Sequence, residues 1–132
     1  MATTVRPFLM FQGGNAEEAM NFYVSLIPES AIVEIIRHTA TSGGTEGTVM
    51  KATFRVGSQT VLCTDSAIQH AFTFTPSFSF FVNCESESQQ VGLFSALSDR
   101  GAVLMPLDNY GFSKRFAWVN DRFGVSWQLN LE

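Results

Sequence analysis

Few side chains in this sequence could bind a metal ion or act as a nucleophile. It contains two histidines, His38 and His70, and two cysteines, Cys63 and Cys84. Neither histidine has a second histidine or cysteine at the spacing of a structural zinc site. Cys63, Asp65 and His70 form the one candidate cluster, in which a metal could bind or Cys63 could be activated. We expect His38, which ends a β-rich segment, to be a surface or edge residue.

The acidic residues favour structural interpretations. Glu17 and Glu18 lie where the positive end of a helix dipole would stabilise them, and Glu85 and Glu87 lie similarly before a second helix. Asp121 lies in a predicted hairpin turn and is expected to be structural. The sequence therefore indicates no pair of carboxylates placed for acid–base chemistry.

The first half of the chain predicts a strand, a helix and further strands. Residues 7–11 are apolar and strand-like, and Asn15 with Glu18 matches a capping box at a helix start. Pro28 ends this helix, and residues 51–63 predict a β-hairpin. The buried helix face is expected to be Ala19, Phe22, Tyr23 and Leu26.

The second half repeats this pattern. Residues 78–82 predict a strand, Ser86 with Gln89 repeats the cap, and Gly101 stops the helix. Residues 116–131 predict a closing hairpin. Val91, Phe94 and Leu97 are expected to form the buried helix face. The repeat indicates a duplication, and two packed half-units usually leave a cleft between them.

Length and composition indicate one domain with an unusually aromatic interior. The 132 residues are 45% hydrophobic and 15% charged, with thirteen phenylalanines. Such a composition predicts a bulky aromatic core or an aromatic-lined pocket. We predict a single domain at residues 1–132, with module one at about 5–66, a linker at about 66–75 and module two at about 76–132.

Charge and hydropathy exclude several classes of partner. A net charge of −4 argues against a nucleic-acid partner. No apolar run approaches the ~20 residues that span a bilayer, and no signal-peptide segment is recognised. We therefore expect a cytoplasmic protein without a membrane partner, with Cys63 and Cys84 as free, buried thiols.

Several motifs resemble those of one known superfamily. They are FQGGNAEEA at residues 11–19, PSFSFFV at 76–82, GAVLMPL at 101–107 and WVNDRFGVSWQL at 118–129. Over nearly the whole chain, they resemble the PhnB-like branch of the vicinal oxygen chelate superfamily, which includes glyoxalases, extradiol dioxygenases and bleomycin- and fosfomycin-resistance proteins. The resemblance implies an α+β fold of two βαβββ modules forming an open half-barrel. Many relatives carry the label 3-demethylubiquinone-9 3-methyltransferase, but this sequence lacks a glycine-rich loop or Rossmann-sized βαβ series for S-adenosylmethionine.

The resemblance also implies positions for a divalent metal, which the superfamily binds with His or Glu side chains. These positions fall here on Phe8, Ser77 and Gln128, with a fourth near Cys63 or Asp65. Phenylalanine cannot bind a metal, and serine and glutamine are poor ligands for zinc, iron, nickel or manganese. We therefore expect no metal and no cofactor.

Three hypotheses of function follow. The first is a metal-free, homodimeric protein that binds a small organic ligand. The alternative is a superfamily enzyme, glyoxalase-, dioxygenase- or transferase-like, with a relocated site at Cys63, Asp65 and His70. A third is an assembly partner without a ligand. For the first hypothesis, the candidate cleft residues are Phe8, Met10, Gln12, Ser77, Trp118 and Gln128, with Phe116 as a core or cleft residue. Residues 110–113 form a loop that is either a lid or a plain turn.

Overall fold

The first half of the chain folds as one strand, a helix and three further strands. The computed structural model describes residues 2–132, which form two compact units, one ending at Thr73 and the other spanning Phe74–Glu132. The elements of the first unit are β1 (Phe8–Phe11), α1 (Ala16–Leu26), β2 (Ala31–Arg37), β3 (Val49–Val56) and β4 (Gln59–Asp65). Its four-stranded sheet has the order β1-β4-β3-β2. β1 and β4 are parallel, whereas the other neighbours are antiparallel.

The second half has the same topology. Its elements are β5 (Ser79–Asn83), α2 (Glu87–Ser98), β6 (Ala102–Asp108), β7 (Arg115–Asn120) and β8 (Ser126–Leu131). Its sheet has the order β5-β8-β7-β6, and β5 is parallel to β8. The predicted α+β fold of two βαβββ modules is confirmed.

One face of each sheet is buried because side chains alternate along the strands. In β1, Leu9 and Phe11 are buried, while Phe8 is exposed. The Tyr23 ring of α1 stacks on Phe54 of β3 with 6.3 Å between centroids. The core of the first unit therefore joins α1 to this sheet face, and the opposite face carries Phe8 and the half-buried Met10.

The start of α1 differs from the prediction. The Asn15 side chain makes no capping hydrogen bond. Instead, the carboxylate of Asp65 accepts a hydrogen bond of 2.9 Å from the backbone N–H of Ala16. Glu17 forms an ion pair with Arg37, which lowers the pKa of that carboxyl group mainly through the hydrogen bond between them. A distant residue therefore supplies the cap, which local sequence spacing cannot predict. α1 ends at Leu26, before Pro28 as predicted.

The start of α2 agrees with the prediction, but its buried face agrees only at Leu97. The Ser86 hydroxyl accepts a hydrogen bond from the Gln89 backbone N–H at 3.1 Å. Val91 is 43% exposed, and the buried residues are Gln90, Leu93 and Leu97. Gln90 occupies a core position because its amide donates to the carbonyl oxygens of Arg115 and Leu129, both at 3.1 Å. Hydrophobic spacing alone misses this polar residue, whose amide nitrogen is paired although its Oε1 has no hydrogen-bond partner among residues 2–132.

The closing hairpin depends on Asp121, as predicted. One oxygen of this buried carboxylate accepts hydrogen bonds from the backbone N–H groups of Phe123 and Val125, and the other accepts from the indole N–H of Trp127. Gly124 has a φ of +90°, a conformation that favours glycine. Asp121 therefore serves the turn itself.

Within residues 2–132, neither helix has the length and apolar character needed to cross a membrane.

Candidate ligand-binding site

Cys63 is fully buried on the core face of the first sheet. Burial, and secondarily the charge of Asp65, raises the pKa of its thiol to about 12. The thiolate is the nucleophilic form of cysteine, so this thiol is a poor nucleophile at neutral pH. Cys84, in the second unit, is also buried, and burial raises its pKa to about 11. Both cysteines are free, as expected.

Asp65 has a structural role in the first unit. Its two carboxylate oxygens accept hydrogen bonds from the backbone N–H groups of Ala16 at 2.9 Å and Val49 at 2.8 Å. These bonds connect the start of α1 and the start of β3 to the end of β4. The carboxylate is therefore already engaged by backbone donors.

His70 does not complete a metal site with Cys63 and Asp65. Its Nε2 lies 3.3 Å from the Ser66 hydroxyl, and its ring stacks on Phe72 with 4.9 Å between centroids. Among residues 2–132, no group of three or more His, Cys, Asp and Glu side chains could hold a metal ion. The cluster suggested by the sequence is therefore not assembled as a metal site.

His38 is buried, so its prediction as a surface or edge residue was wrong. Its Nε2 lies 3.1 Å from the backbone oxygen of Asp65, and its Nδ1 lies 3.0 Å from the Ser42 hydroxyl. The loop after β2 folds back over the ring, since a methyl group on Gly44 would lie 2.5 Å from it. His38 therefore connects this loop to β4 through its contacts with Ser42 and Asp65.

The positions implied for the superfamily metal do not fit one. Phe8 is the first residue of β1 and has no donor atom. Ser77 lies before β5, and its hydroxyl contacts that of Thr75 at 2.6 Å. Ser79, rather than Ser77, begins β5 as Phe8 begins β1. Gln128 does lie in β8, but a single amide does not make a metal site.

The first unit contains a polar cavity of about 610 Å³. Gln12 is the one candidate cleft residue that lines it, and both ends of its amide are engaged. Its oxygen accepts from the His70 backbone N–H at 2.6 Å, and its nitrogen donates to the Phe72 carbonyl at 2.7 Å. Gln12 therefore holds the segment after β4. The cavity is lined by Gln12, Gly13, Gly14, Gly43, Gly44, Thr45, Thr48, Asp65, Ser66 and Ala67.

The second unit contains a more aromatic cavity of about 510 Å³. Phe81 pairs with Gln128 across β5 and β8, and Phe116 pairs with Asn130 across β7 and β8, so these residues share a sheet face. This face is opposite α2, because Arg115, next to Phe116 on β7, forms an ion pair with Glu87 of α2. The lining residues are Phe81, Phe112, Ser113, Phe116, Gln128, Asn130 and Glu132. Of the candidate cleft residues, Gln128 and Phe116 line this cavity, while Phe8, Met10, Ser77 and Trp118 line neither cavity.

Three phenylalanine rings form the aromatic part of this cavity. Phe116 is 4% exposed and lies between Phe112, at 4.9 Å between centroids, and Phe81, at 6.4 Å. Phe112 is 63% exposed and Phe81 is 55% exposed. Two large ring surfaces are therefore open beside a buried third ring.

The loop between β6 and β7 supplies Phe112. The Tyr110 hydroxyl donates to the Pro106 carbonyl at 2.5 Å, and the Asn109 side chain accepts from the Gly111 backbone N–H at 2.8 Å. The Tyr110 ring also contacts Phe116 edge-on at 6.2 Å. These contacts hold residues 110–113 in a turn, which is one of the two alternatives, lid or plain turn, that the sequence left open. The turn forms a wall of the cavity.

Two amides provide the polar part of the cavity. Asn130 is 6% exposed, and its Nδ2 donates to Asn83 Oδ1 at 3.1 Å. The Oδ1 of Asn130 is buried and has no hydrogen-bond partner among residues 2–132. Gln128 is half-buried beside it. Gln90 Oε1 and Asn120 Oδ1 are likewise buried without a hydrogen-bond partner among residues 2–132, but only Asn130 of these three residues lines the cavity.

Sequence reasoning missed Phe81 and Glu132, and it named Phe112 only as part of the loop at residues 110–113. Strand alternation offered one usable signal, because Asn130 must share the face of Gln128 two residues earlier. Trp118 shares this face, but its indole N–H donates to the Ser126 hydroxyl at 2.8 Å. For Phe112, the signal was the loop at residues 110–113, which the sequence left open as a lid or a plain turn.

The family described as "3-demethylubiquinone-9 3-methyltransferase" matches residues 3–130. A solved structure described as a putative 3-demethylubiquinone-9 3-methyltransferase, PhnB protein, from Bacillus cereus is 51% identical, with a TM-score of 0.94 over 98% of this chain and 100% of that chain. Protein PA1353 from Pseudomonas aeruginosa is 27% identical, with a TM-score of 0.83 over 99% of this chain and 98% of that one.

More distant structures share the fold alone. A glyoxylase/bleomycin resistance protein/dioxygenase domain from Frankia sp. EAN1pec is 13% identical, with a TM-score of 0.63 over 99% of this chain and 92% of that one. No curated protein matches the sequence. The chain therefore belongs to the PhnB-like family described as 3-demethylubiquinone-9 3-methyltransferase.

Proposed function

We propose that this protein binds a small organic molecule, without a metal ion, in the cavity of the second unit. The observation that carries the proposal is a cavity in which the open rings of Phe81 and Phe112 lie beside the amides of Gln128 and Asn130. Ligand pockets typically combine apolar walls with a few polar groups and enclose roughly 300–1,000 Å³. The cavity of about 510 Å³ has this composition and size.

The donor set supports the metal-free part of the proposal. The positions implied for a metal carry phenylalanine, serine and glutamine, which do not form a site for a divalent transition metal. Asp65 uses both carboxylate oxygens on backbone N–H groups, and Cys63 stays protonated at neutral pH. The enzyme hypothesis with a relocated site therefore gains no support from these residues.

The methyl transfer named in the family description is not part of the proposal. Nucleotide-type cofactors typically bind at the carboxyl ends of a series of parallel strands, next to a glycine-rich turn. Each sheet here has one parallel pair of strands in an otherwise antiparallel arrangement. The two modules therefore offer no doubly wound framework for such a cofactor.

Homodimer formation remains a prediction. β2 and β6 are edge strands, and each carries exposed apolar side chains, among them Val33, Ile36, Val103 and Leu104. Such edges are commonly covered by a partner. Light scattering at micromolar concentration tests this, and a strict monomer would contradict it.

The binding proposal is tested by screening soluble aromatic fragments against the wild-type protein and Gln128→Leu. We expect the best fragments to bind Gln128→Leu about tenfold more weakly, because a hydrogen bond in the cavity contributes about 1 kcal/mol and a buried partner is left unpaired. Gln59→Leu, at the exposed first residue of β4, is the matched control and should bind like the wild type. Equal affinities in all three proteins would argue against this cavity.

A further inference from the structure

We infer that the ligand of this cavity is an organic cation, an ammonium or a protonated nitrogen heterocycle bearing N–H or polarised C–H groups. This inference rests on the proposed function and adds the charge of the ligand to it. Three independent features of the cavity carry it: the aromatic rings, the polar atoms and the charges of the lining residues.

The aromatic rings suit a cation. Phe116 forms the base, and Phe112 stands against it at an interplanar angle of 72°, with Phe81 tilted at 33° on the other side. A cation within about 6 Å of several ring centroids is attracted by the negative faces of all of them. The open surfaces of Phe81 and Phe112 supply two such walls around one space.

The polar side of the cavity offers a hydrogen-bond acceptor to a ligand. The Oδ1 of Asn130 has no hydrogen-bond partner among residues 2–132, and the nitrogen of the same amide already donates to Asn83. A neutral hydrocarbon would leave that oxygen unpaired, and an anion would face it with a second acceptor. A ligand with a positively polarised N–H or C–H group satisfies it.

The charges favour the same ligand. Of the seven described lining residues, Glu132 is the one charged side chain, and none is Lys, Arg or His. Arg115 precedes Phe116 on β7 and so points to the other sheet face, where its guanidinium pairs with Glu87 at 2.6 Å. The chain carries a net charge of −4, which also attracts cations.

Choline and its neutral isostere 3,3-dimethylbutan-1-ol test the charge directly, because they have nearly the same shape. Binding is followed by chemical-shift titration of the ¹⁵N-labelled full chain. We expect choline to bind about tenfold more tightly than the alcohol. Glu132→Gln should weaken choline roughly threefold to fivefold and leave the alcohol unchanged. Glu85→Gln, an exposed glutamate outside the cavity, is the matched control and should change neither.

The outcomes separate the two levels of the argument. If the alcohol binds in the cavity as tightly as choline does, the inferred charge is wrong and the binding proposal stands. If neither probe binds while neutral fragments occupy the cavity, the charge is again wrong. If no probe or fragment binds there, both the inference and the proposed function fail.

Discussion

At the scale of single residues, two aspartates do the same work in the two units. Asp65 binds two backbone N–H groups from α1 and β3, and Asp121 binds two from its own turn and the Trp127 indole. Both side chains are buried. The sequence predicted that Asp121 lies in a hairpin turn and has a structural role. It did not predict the contacts of Asp65, because the backbone donors of that side chain lie 49 and 16 residues away.

Replacing either aspartate should lower the stability of the fold, because both have structural roles. We expect Asp65→Asn and Asp121→Asn each to lower the free energy of unfolding by about 1–3 kcal/mol, since an amide offers one acceptor oxygen where the carboxylate offers two. Urea denaturation measures this. The exposed Glu46→Gln provides the control, and aspartate variants as stable as that control would refute the structural role.

Cys63 should make stability depend on alkaline pH. Its folded pKa of about 12 lies above the usual value of 9.0, so the unfolded chain loses this proton first as pH rises. The stabilisation is complete below pH 9 and is lost as pH rises towards 12. Over that range, a single thiol lowers the free energy of unfolding by up to about 1.4 kcal/mol per pH unit.

The comparison protein for that experiment is Cys63→Ala. Other groups also ionise at alkaline pH, so the informative quantity is the difference in slope between wild type and variant in urea titrations between pH 8.5 and 10.5. We expect the variant to have the shallower slope. Identical slopes would mean that the buried thiol ionises as easily in the folded protein as in the unfolded chain.

At the scale of elements, the hydrophobic pattern predicted most of the fold. The strand at 7–11, the helix ending before Pro28 and the closing hairpin all form. The spacing of hydrophobic residues did not predict the buried face of a helix where a polar side chain takes a core position, as Gln90 does in α2. It also misassigned Gly101: α2 ends at Ser98, and Arg100, with a φ of 58°, takes the left-handed conformation.

Replacing Gly92, within α2, and Gly101, which follows it, with alanine should change the stability of the protein in opposite directions. Gly92→Ala should stabilise the protein by about 0.5–1 kcal/mol, because alanine favours a helix interior and a methyl group there meets nothing within 4 Å. Gly101→Ala should destabilise it by about 1–3 kcal/mol, since that methyl group would overlap the carbonyl oxygen of Asn120. Thermal and urea unfolding measure both, and a shift of the same sign in both variants would contradict this geometry.

At the scale of the whole molecule, the resemblance identified the family, but not the cavity. The implied metal positions pointed to Phe8, Ser77 and Gln128, of which Gln128 alone lines the aromatic cavity. Phe81 and Asn130 reach it through the pairing of β5, β7 and β8, and Phe112 through a loop. Such juxtapositions depend on register between strands distant in sequence, which a pattern along one chain does not specify.

The side chains available as metal ligands predict that the protein retains transition-metal ions only weakly. After exposure to zinc, nickel, iron and manganese followed by dialysis, we expect far less than one ion per chain, because no transition-metal site is formed by His, Cys, Asp and Glu among residues 2–132. Elemental analysis measures this. Retention near one ion per chain that disappears in Asp65→Ala or His70→Ala would instead support a relocated metal site.

The most direct test of the account is to map where a bound fragment perturbs the backbone amides of the ¹⁵N-labelled protein. We predict saturable shifts clustered at Phe81, residues 112–116 and residues 128–132, which line or flank the cavity of the second unit. Shifts clustered instead at residues 12–14 and 43–45, around the polar cavity of the first unit, would contradict it. So would a complete absence of saturable shifts.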